Sequence, residues 1–364
     1  MAESREDVRG PYANGGPIDD STAHLIERMP KTELHLHLDG SLRIDTALEI
    51  ARARDIDAPR TWAGMRDALI APPRCLDQAA LLGAFDLPIA LMQDAATLER
   101  VTAELVEDKA ADNVRYVEVR WGPLLHVSGG LPLAEGIEAV IRGAERAARA
   151  TGTTVRLICT ALRSHDPEAN LRLAETAARY VDRGLTGWDF AGPEQRFPDP
   201  TVAARAFDAA REGGLRITLH AGEWGGADQV RRALAMDPER IAHGPGAADD
   251  PALMGELRAR GVCLDLCPTS NAQAAIVASV ASHPLATLHR AGNPVTLSTD
   301  DPTVSDLTLS EEYRNAVERI GLTLPELWAI DRRALDVAFA DEAALRPLRA
   351  AFDAWAAGIP EFVA

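Results

Sequence analysis

A chain of 364 residues, 46% of them hydrophobic, is long enough to bury a barrel-sized core. Its net charge of −17 and pI near 5.0 exclude the basic face that nucleic acid or an anionic membrane surface requires. No apolar run reaches the roughly 18 residues that cross a bilayer, and Cys75, Cys159, Cys263 and Cys267 are too few for a disulfide framework, so a cytoplasmic location is expected.

Residues 1–22 are polar and charged, without the apolar centre of a secretory signal, and read as a flexible N-terminal tail. Residues 23–364 read as a single domain. Eight runs within it have strand character: Glu33–Leu38, Val114–Trp121, Val155–Leu162, Thr186–Phe190, Arg216–His220, Arg240–His243, Val262–Cys267 and Pro294–Ser298. Segments with helical spacing lie between them, including Leu98–Ala111, Leu133–Ala150, Glu168–Asp182, Thr201–Glu212 and Ala252–Arg260. Eight alternations of strand and helix predict a (β/α)₈ TIM barrel, with a doubly wound open sheet as the other arrangement the pattern permits. The long gap from Gly40 to Asn113 predicts a helical insertion after strand 1, part of it capping the barrel mouth. The residues from Leu309 onward predict C-terminal helices packed outside the ring.

Four motifs fall at strand ends, where such barrels carry their chemistry. They are His35-Leu36-His37, His220-Ala-Gly-Glu223, His243-Gly244 and Asp300-Asp301. Residues two apart on a strand face one side, so His35 and His37 aim both imidazoles at one point. With His220 and Asp300 they make a three-histidine, one-carboxylate set without thiolate, which suits a single Zn²⁺, with Fe²⁺ or Co²⁺ as the other fits. An open position on such an ion acidifies a bound water to a pKa of about 7. A two-metal site normally adds a bridging lysine, but the fourth strand, Thr186–Phe190, has none. Only Lys31 and Lys109 exist in the chain, before the first strand and in a helix.

Glu223, three residues past His220 and beyond the turn at Gly222, is the candidate acid/base. His243 is the candidate for orienting or deprotonating the water, and Asp301, adjacent to a ligand, is expected to face the substrate. Glu118 and Arg120 share a strand face with Tyr116 and read as a structural charge pair. His126, after Trp121-Gly-Pro, is expected at the pocket rim. His24, His165, His283 and His289 are expected on the surface or in packing.

These residues resemble the adenosine deaminase family of (β/α)₈ zinc aminohydrolases. The matching strings are Pro30-Lys-Thr-Glu-Leu-His-Leu-His-Leu-Asp-Gly-Ser41, Tyr116-Val-Glu-Val-Arg120, Asp189-Phe-Ala-Gly192, His220-Ala-Gly-Glu223, Arg240-Ile-Ala-His-Gly244, Cys267-Pro-Thr-Ser-Asn271 and Ser298-Thr-Asp-Asp-Pro302. The resemblance implies hydrolytic loss of ammonia from C6 of an adenosine-type purine nucleoside. It places zinc on His35, His37, His220 and Asp300, gives Glu223 the proton for purine N1, and has His243 steer the attack on C6. Asp301 would hydrogen-bond N7, the Gly192 N–H would meet N3, and Asp39 would approach the ribose.

Ala242, Pro245-Gly246 and Leu162–Pro167 depart from the family's usual pattern without touching those positions. The 6-aminopurine therefore stays open between adenosine, methylthioadenosine, adenosylhomocysteine, N6-substituted adenines, aminodeoxyfutalosine and adenine. A mononuclear amidohydrolase acting on another C–N bond is the second reading, and a non-catalytic nucleoside-binding protein is the third, although a binder has no use for Glu223. A nucleotide substrate would call for a cluster of cations, which in a chain this poor in lysine would fall to arginine.

Overall fold

The structure, a computed structural model, describes residues 17–75 and 78–363. Eight parallel strands run in sequence order: β1 Lys31–His37, β2 Val114–Trp121, β3 Thr154–Leu162, β4 Leu185–Ala191, β5 Arg216–Ala221, β6 Arg240–His243, β7 Cys263–Leu266 and β8 Val295–Leu297. The ring closes past the end of β8. There the His37 N–H donates to the Asp300 carbonyl at 2.8 Å, and the Asp300 N–H donates to the His35 carbonyl at 3.1 Å. The expected barrel is present and the open sheet is excluded, because an open sheet would leave β1 and β8 as separate edges.

Helices on the outside bury one stripe each. The helix Leu133–Thr151 turns Ile137, Val140, Ile141, Ala144 and Ala147 inward, a spacing of three and four residues. It meets the helix Ala95–Ala111 closely at Gly143, where a Cβ would fall 2.3 Å from the Glu99 carbonyl oxygen. Each of the buried side chains of Ile137, Val140 and Ile141 contributes about 1.5–3 kcal/mol.

The barrel interior is charged as well as apolar. Glu118, Arg120, Asp189, Arg240 and Asp265 are all completely buried. Glu118 and Arg120 do not pair with each other as the sequence suggested. Glu118 binds Arg240, the Tyr116 hydroxyl at 2.9 Å and the backbone N–H of Phe339. Arg120 lies 3.5 Å from Asp189 and donates to the Leu34 carbonyl at 2.9 Å. Side chains two apart on a strand share a face but enter the barrel at different heights, so each finds its partner across the ring.

The C-terminal helices Leu309–Asn315, Leu324–Val337 and Glu342–Ala356 pack outside the ring as expected. The segment between the last two does not. Phe339 closes the floor of the barrel, its ring 3.8 Å from the Arg240 guanidinium carbon.

One further difference concerns a boundary. The first helix spans Asp20–Arg28, with the Asp19 carboxylate accepting the Thr22 N–H at 2.7 Å. The end of the expected tail is thus helical because an N-cap precedes it. Residues 1–16 lie outside the described residues. The insertion after β1 contains the short helices Ile44–Ala53, Trp62–Leu69, Gln78–Leu82 and Asp86–Leu91, and the last two lie over the mouth. Among the described residues no helix is long and apolar enough to cross a membrane.

Candidate active site

At the carboxyl end of the barrel, β1 brings His35 and His37 together with their Nε2 atoms 3.3 Å apart. His220, near the end of β5, places its Nε2 3.2 Å from that of His37. Asp300, held between the backbones of His35 and His37, sets Oδ1 3.0 Å from His35 Nε2 and 3.3 Å from His37 Nε2. The four residues read from the sequence as a ligand set therefore meet.

Their geometry fits a cation. Asp300 Oδ1 is buried and makes no aligned hydrogen bond despite these short distances. Burial also pushes the His35 imidazole well below its ordinary pKa and that of His37 down to about 3, favouring the neutral ring that can donate a lone pair. The His220 ring is oriented from behind, its Nδ1 3.0 Å from Asp189 Oδ1. The proton sits on Nδ1 and Nε2 faces inward bare. For Asp189, burial opposes the charge, but His220 and Arg120 beside it hold the carboxyl well below its usual range.

His243 stands next to this group. It ends β6 in the left-handed region at φ 69°, followed by Gly244 at φ 77°, a backbone state uncommon outside glycine. Its Nε2 is 3.8 Å from both Asp300 Oδ2 and Glu223 Oε1. His35, His220, His243 and Asp300 can also present ligand atoms within 4.8 Å of one another, so His37 and His243 are alternative fourth members of one cluster. His37 approaches Asp300 more closely, on the oxygen that His35 also faces. His243 faces the other oxygen.

Glu223 is buried, and its carboxyl is raised well above the usual range. Burial is the main cause, reinforced by Asp300 and Glu194 against a weaker pull from Arg163. Two groups missed in the sequence shape this corner. Glu194, after β4, accepts the N–H groups of Gly222, Trp224 and Gly225 at 2.7, 3.0 and 2.9 Å. Gln195 donates to the Trp224 carbonyl at 3.3 Å. The backbone on both sides of Glu223 is thus clamped. Ser270 and Asn271, in the noted Cys267–Asn271 string, support Asp300 and His243: Ser270 Oγ donates to Asp300 Oδ2 at 2.7 Å, and Asn271 Nδ2 lies 3.1 Å from His243 Nδ1.

These groups open onto a cavity of about 340 Å³. His37, Asp39, Gly192, His220, Glu223, His243, Asp300 and Asp301 line it, with His35 beneath. Burial raises Asp39 to about 6, and burial with neighbouring Asp300 and Asp39 raises Asp301 well above the usual range. Leu81, Leu82, Phe85 and Ile89 of the insertion roof the cavity, and Leu125 and Leu162 wall it. Among the described lining residues there is no lysine or arginine. His126 is buried and does not line the cavity; its neighbour Leu125 does. Roomier hollows of about 920 and 620 Å³ lie away from this cluster, one at the start of β3 and one beside Ala95–Ala111.

The two lysines are committed elsewhere. Lys31 donates to the carbonyls of Glu27, Met29 and Asp112, and Lys109 pairs with Glu33 at 2.9 Å. Glu33 in turn accepts from the N–H of Thr299 at 2.9 Å and from its hydroxyl, steadying the residue before Asp300.

Residues 30–355 match the family model described as adenosine deaminase. An adenosine deaminase of Clostridium perfringens strain 13 is 35% identical over 317 residues, covering 86% of this chain and 95% of the relative. An amidohydrolase crystal structure from Burkholderia ambifaria, with bound Zn, superposes with a TM-score of 0.86 at 26% identity, over 94% of this chain and 95% of that one. The N6-methyl-AMP deaminase of Arabidopsis thaliana superposes with a TM-score of 0.80 at 31% identity, over 91% and 98%.

Proposed function

This chain belongs to the adenosine deaminase family of metal-dependent purine deaminases, and from that premise we propose that it hydrolyses the 6-amino group of an uncharged adenosine-type nucleoside. One Zn²⁺ on His35, His37, His220 and Asp300 is the metal this reading assigns. When bound, such an ion supplies Lewis-acid chemistry, acidifying water at its open position. With both lysines engaged in other contacts, a bridging lysine is lacking and one ion is favoured over two.

The chain's own groups divide the remaining work. Glu223, with a pKa raised chiefly by burial, holds a proton at Oε and passes it to purine N1, which makes C6 more electrophilic. His243 orients the nucleophile toward C6. Asp301, whose raised pKa favours the protonated form, can donate to N7. The Gly192 N–H meets N3, and Asp39 meets a ribose hydroxyl. The roof of Leu81, Leu82, Phe85 and Ile89 excludes water while ammonia leaves C6.

The observation that carries the nucleoside reading is the absence of lysine and arginine among the described residues that line the cavity. The related structure named for N6-methyl-AMP raises a nucleotide as the other substrate class. A phosphate dianion entering this lining would meet Asp39, Glu223, Asp300 and Asp301, with no arginine or lysine among the described lining residues to pair it. Arg163, the cation nearest in sequence to the wall, does not line the cavity and turns Nη1 and Nη2 to the carbonyls of Phe197 and His220 at 3.0 and 2.9 Å.

The test is a panel of adenosine, deoxyadenosine, methylthioadenosine, adenosylhomocysteine, aminodeoxyfutalosine, adenine, AMP and N6-methyl-AMP compared by kcat/KM. An uncharged nucleoside should lead AMP by about 10²-fold or more. A preference for either nucleotide, or turnover of adenine alone, overturns the assignment. Glu223→Gln should lower kcat by about 10²- to 10⁴-fold while inosine still binds.

A further inference from the structure

Behind His243 lies a buried relay whose hydrogen-bond direction can be read from one fixed group. The backbone N–H of Leu285 lies 3.2 Å from Nδ1 of His283. A backbone N–H only donates, so Nδ1 accepts and the proton of a neutral His283 sits on Nε2. That Nε2 is 3.1 Å from Asn271 Oδ1, which only accepts. The amide is thereby turned with Nδ2 toward His243, 3.1 Å from its Nδ1. An amide nitrogen only donates, so His243 Nδ1 accepts and its proton sits on Nε2.

We propose that Asn271 and His283 are positioning residues that fix His243 as an Nε2–H hydrogen-bond donor, so that it orients the nucleophile and does not take its proton. This rests on the reading of His243 as a group facing the reacting atoms. Its Nε2–H points to the space between Glu223 and Asp300, 3.8 Å from each.

A base role needs the opposite tautomer, with Nε2 bare and the proton on Nδ1. That proton would face the Asn271 NH₂. Turning the amide over would set its NH₂ against the His283 Nε2–H. Moving the His283 proton to Nδ1 would set it against the Leu285 N–H, which cannot turn. Wherever the reversal stops, two buried donors face each other. Asn271, His243 and His283 are 0%, 1% and 3% exposed, so bulk water cannot intervene. Burial lowers the His283 pKa to about 3, consistent with a neutral link.

The experiment is a long-range ¹H–¹⁵N correlation spectrum of zinc-loaded, ¹⁵N-histidine-labelled full-length protein, with peaks assigned through His243→Gln and His283→Gln. Both rings should carry the proton on Nε2. Asn271→Asp, which presents only acceptors, should move the His243 proton to Nδ1 and lower kcat by about 10²-fold, with KM within about threefold. His283→Gln can still accept from Leu285 and donate to Asn271, so it should keep the His243 tautomer and kcat within about threefold, whereas His283→Leu should not.

A merely structural role would lower Tm in Asn271→Asp and His283→Leu and leave the His243 proton on Nε2. That result, or a wild-type His243 protonated on Nδ1, overturns the proposal. If Asn271→Asp does not fold, the wild-type and His283→Gln spectra decide alone. The tautomer is read without substrate, so a failed purine assignment leaves it standing.

Discussion

Asp189 Oδ1 lies 3.0 Å from Nδ1 of His220, and that contact decides which nitrogen of His220 faces the histidine cluster. Asp189→Asn removes the charge while keeping a side chain of the same size. Zinc affinity should fall by about 10- to 100-fold, as for other partners that orient a ligand from behind. Competition with a chelator of known affinity measures it. Unchanged affinity would mean that Asp189 serves the barrel alone, through Arg120.

His37 and His243 are the two alternative fourth members of the metal cluster, and their contacts to Asp300 separate them. His37→Ala should abolish stoichiometric zinc retention. His243→Ala should keep the ion, by elemental analysis, and lose kcat by about 10²-fold. The reverse pattern would exchange their roles.

Glu194 holds three N–H groups around Glu223. Glu194→Gln turns an NH₂ against N–H donors, so kcat should fall by at least about tenfold with zinc retained. Removing its negative charge also lowers the pKa of Glu223, which is raised by burial first and then by Asp300 and Glu194. In the role proposed for Glu223 the acid must be protonated, so the alkaline limb of kcat should move to lower pH. Glu194→Asp should keep the limb nearer its wild-type position, because the charge remains.

Gly40 is packed under Asp301: a Cβ there would lie 1.9 Å from Asp301 Oδ1. Gly40→Ala must displace that carboxyl, the group assigned to purine N7. KM should rise by about tenfold or more, with zinc content unchanged, in steady-state assays on adenosine.

His126 is buried outside the cavity, and burial lowers its pKa from 6.5 to about 4. As pH falls below 6.5 the unfolded chain takes up a proton that the folded His126 does not hold. The unfolded state therefore binds more protons, and stability falls with falling pH through that window. Between pH 7 and 5 this one group should remove about 2 kcal/mol. Denaturant unfolding of His126→Leu at both pH values should show a loss smaller by about that amount.

The strand-end motifs were legible because a period of two fixes which way His35 and His37 point, whatever the rest of the chain does. The eight alternations likewise pointed to parallel strands, since parallel neighbours need a helical return between them. An open sheet satisfies that rule too, and only the contact of Asp300 with His35 and His37 closes the ring. The insertion's role was legible only in outline. Nothing local to Leu81, Leu82, Phe85 or Ile89 distinguishes a roof from a core stripe. The Glu118–Arg120 pairing was misread because both residues lie on one strand, while their partners Arg240 and Asp189 come from others.

His283 shows the same limit at the site itself. A histidine before proline in a loop carries no local sign of function, and only the fold brings it to Asn271. Side-chain type and short-range periodicity were enough to read the eight strands, their alternation with helices and the four strand-end motifs. The direction of the hydrogen bonds behind those motifs, the clamp on Glu223 and the absence of cations from the described lining emerge only in the folded chain. Those depend on contacts between residues tens to hundreds of positions apart, which no local pattern encodes.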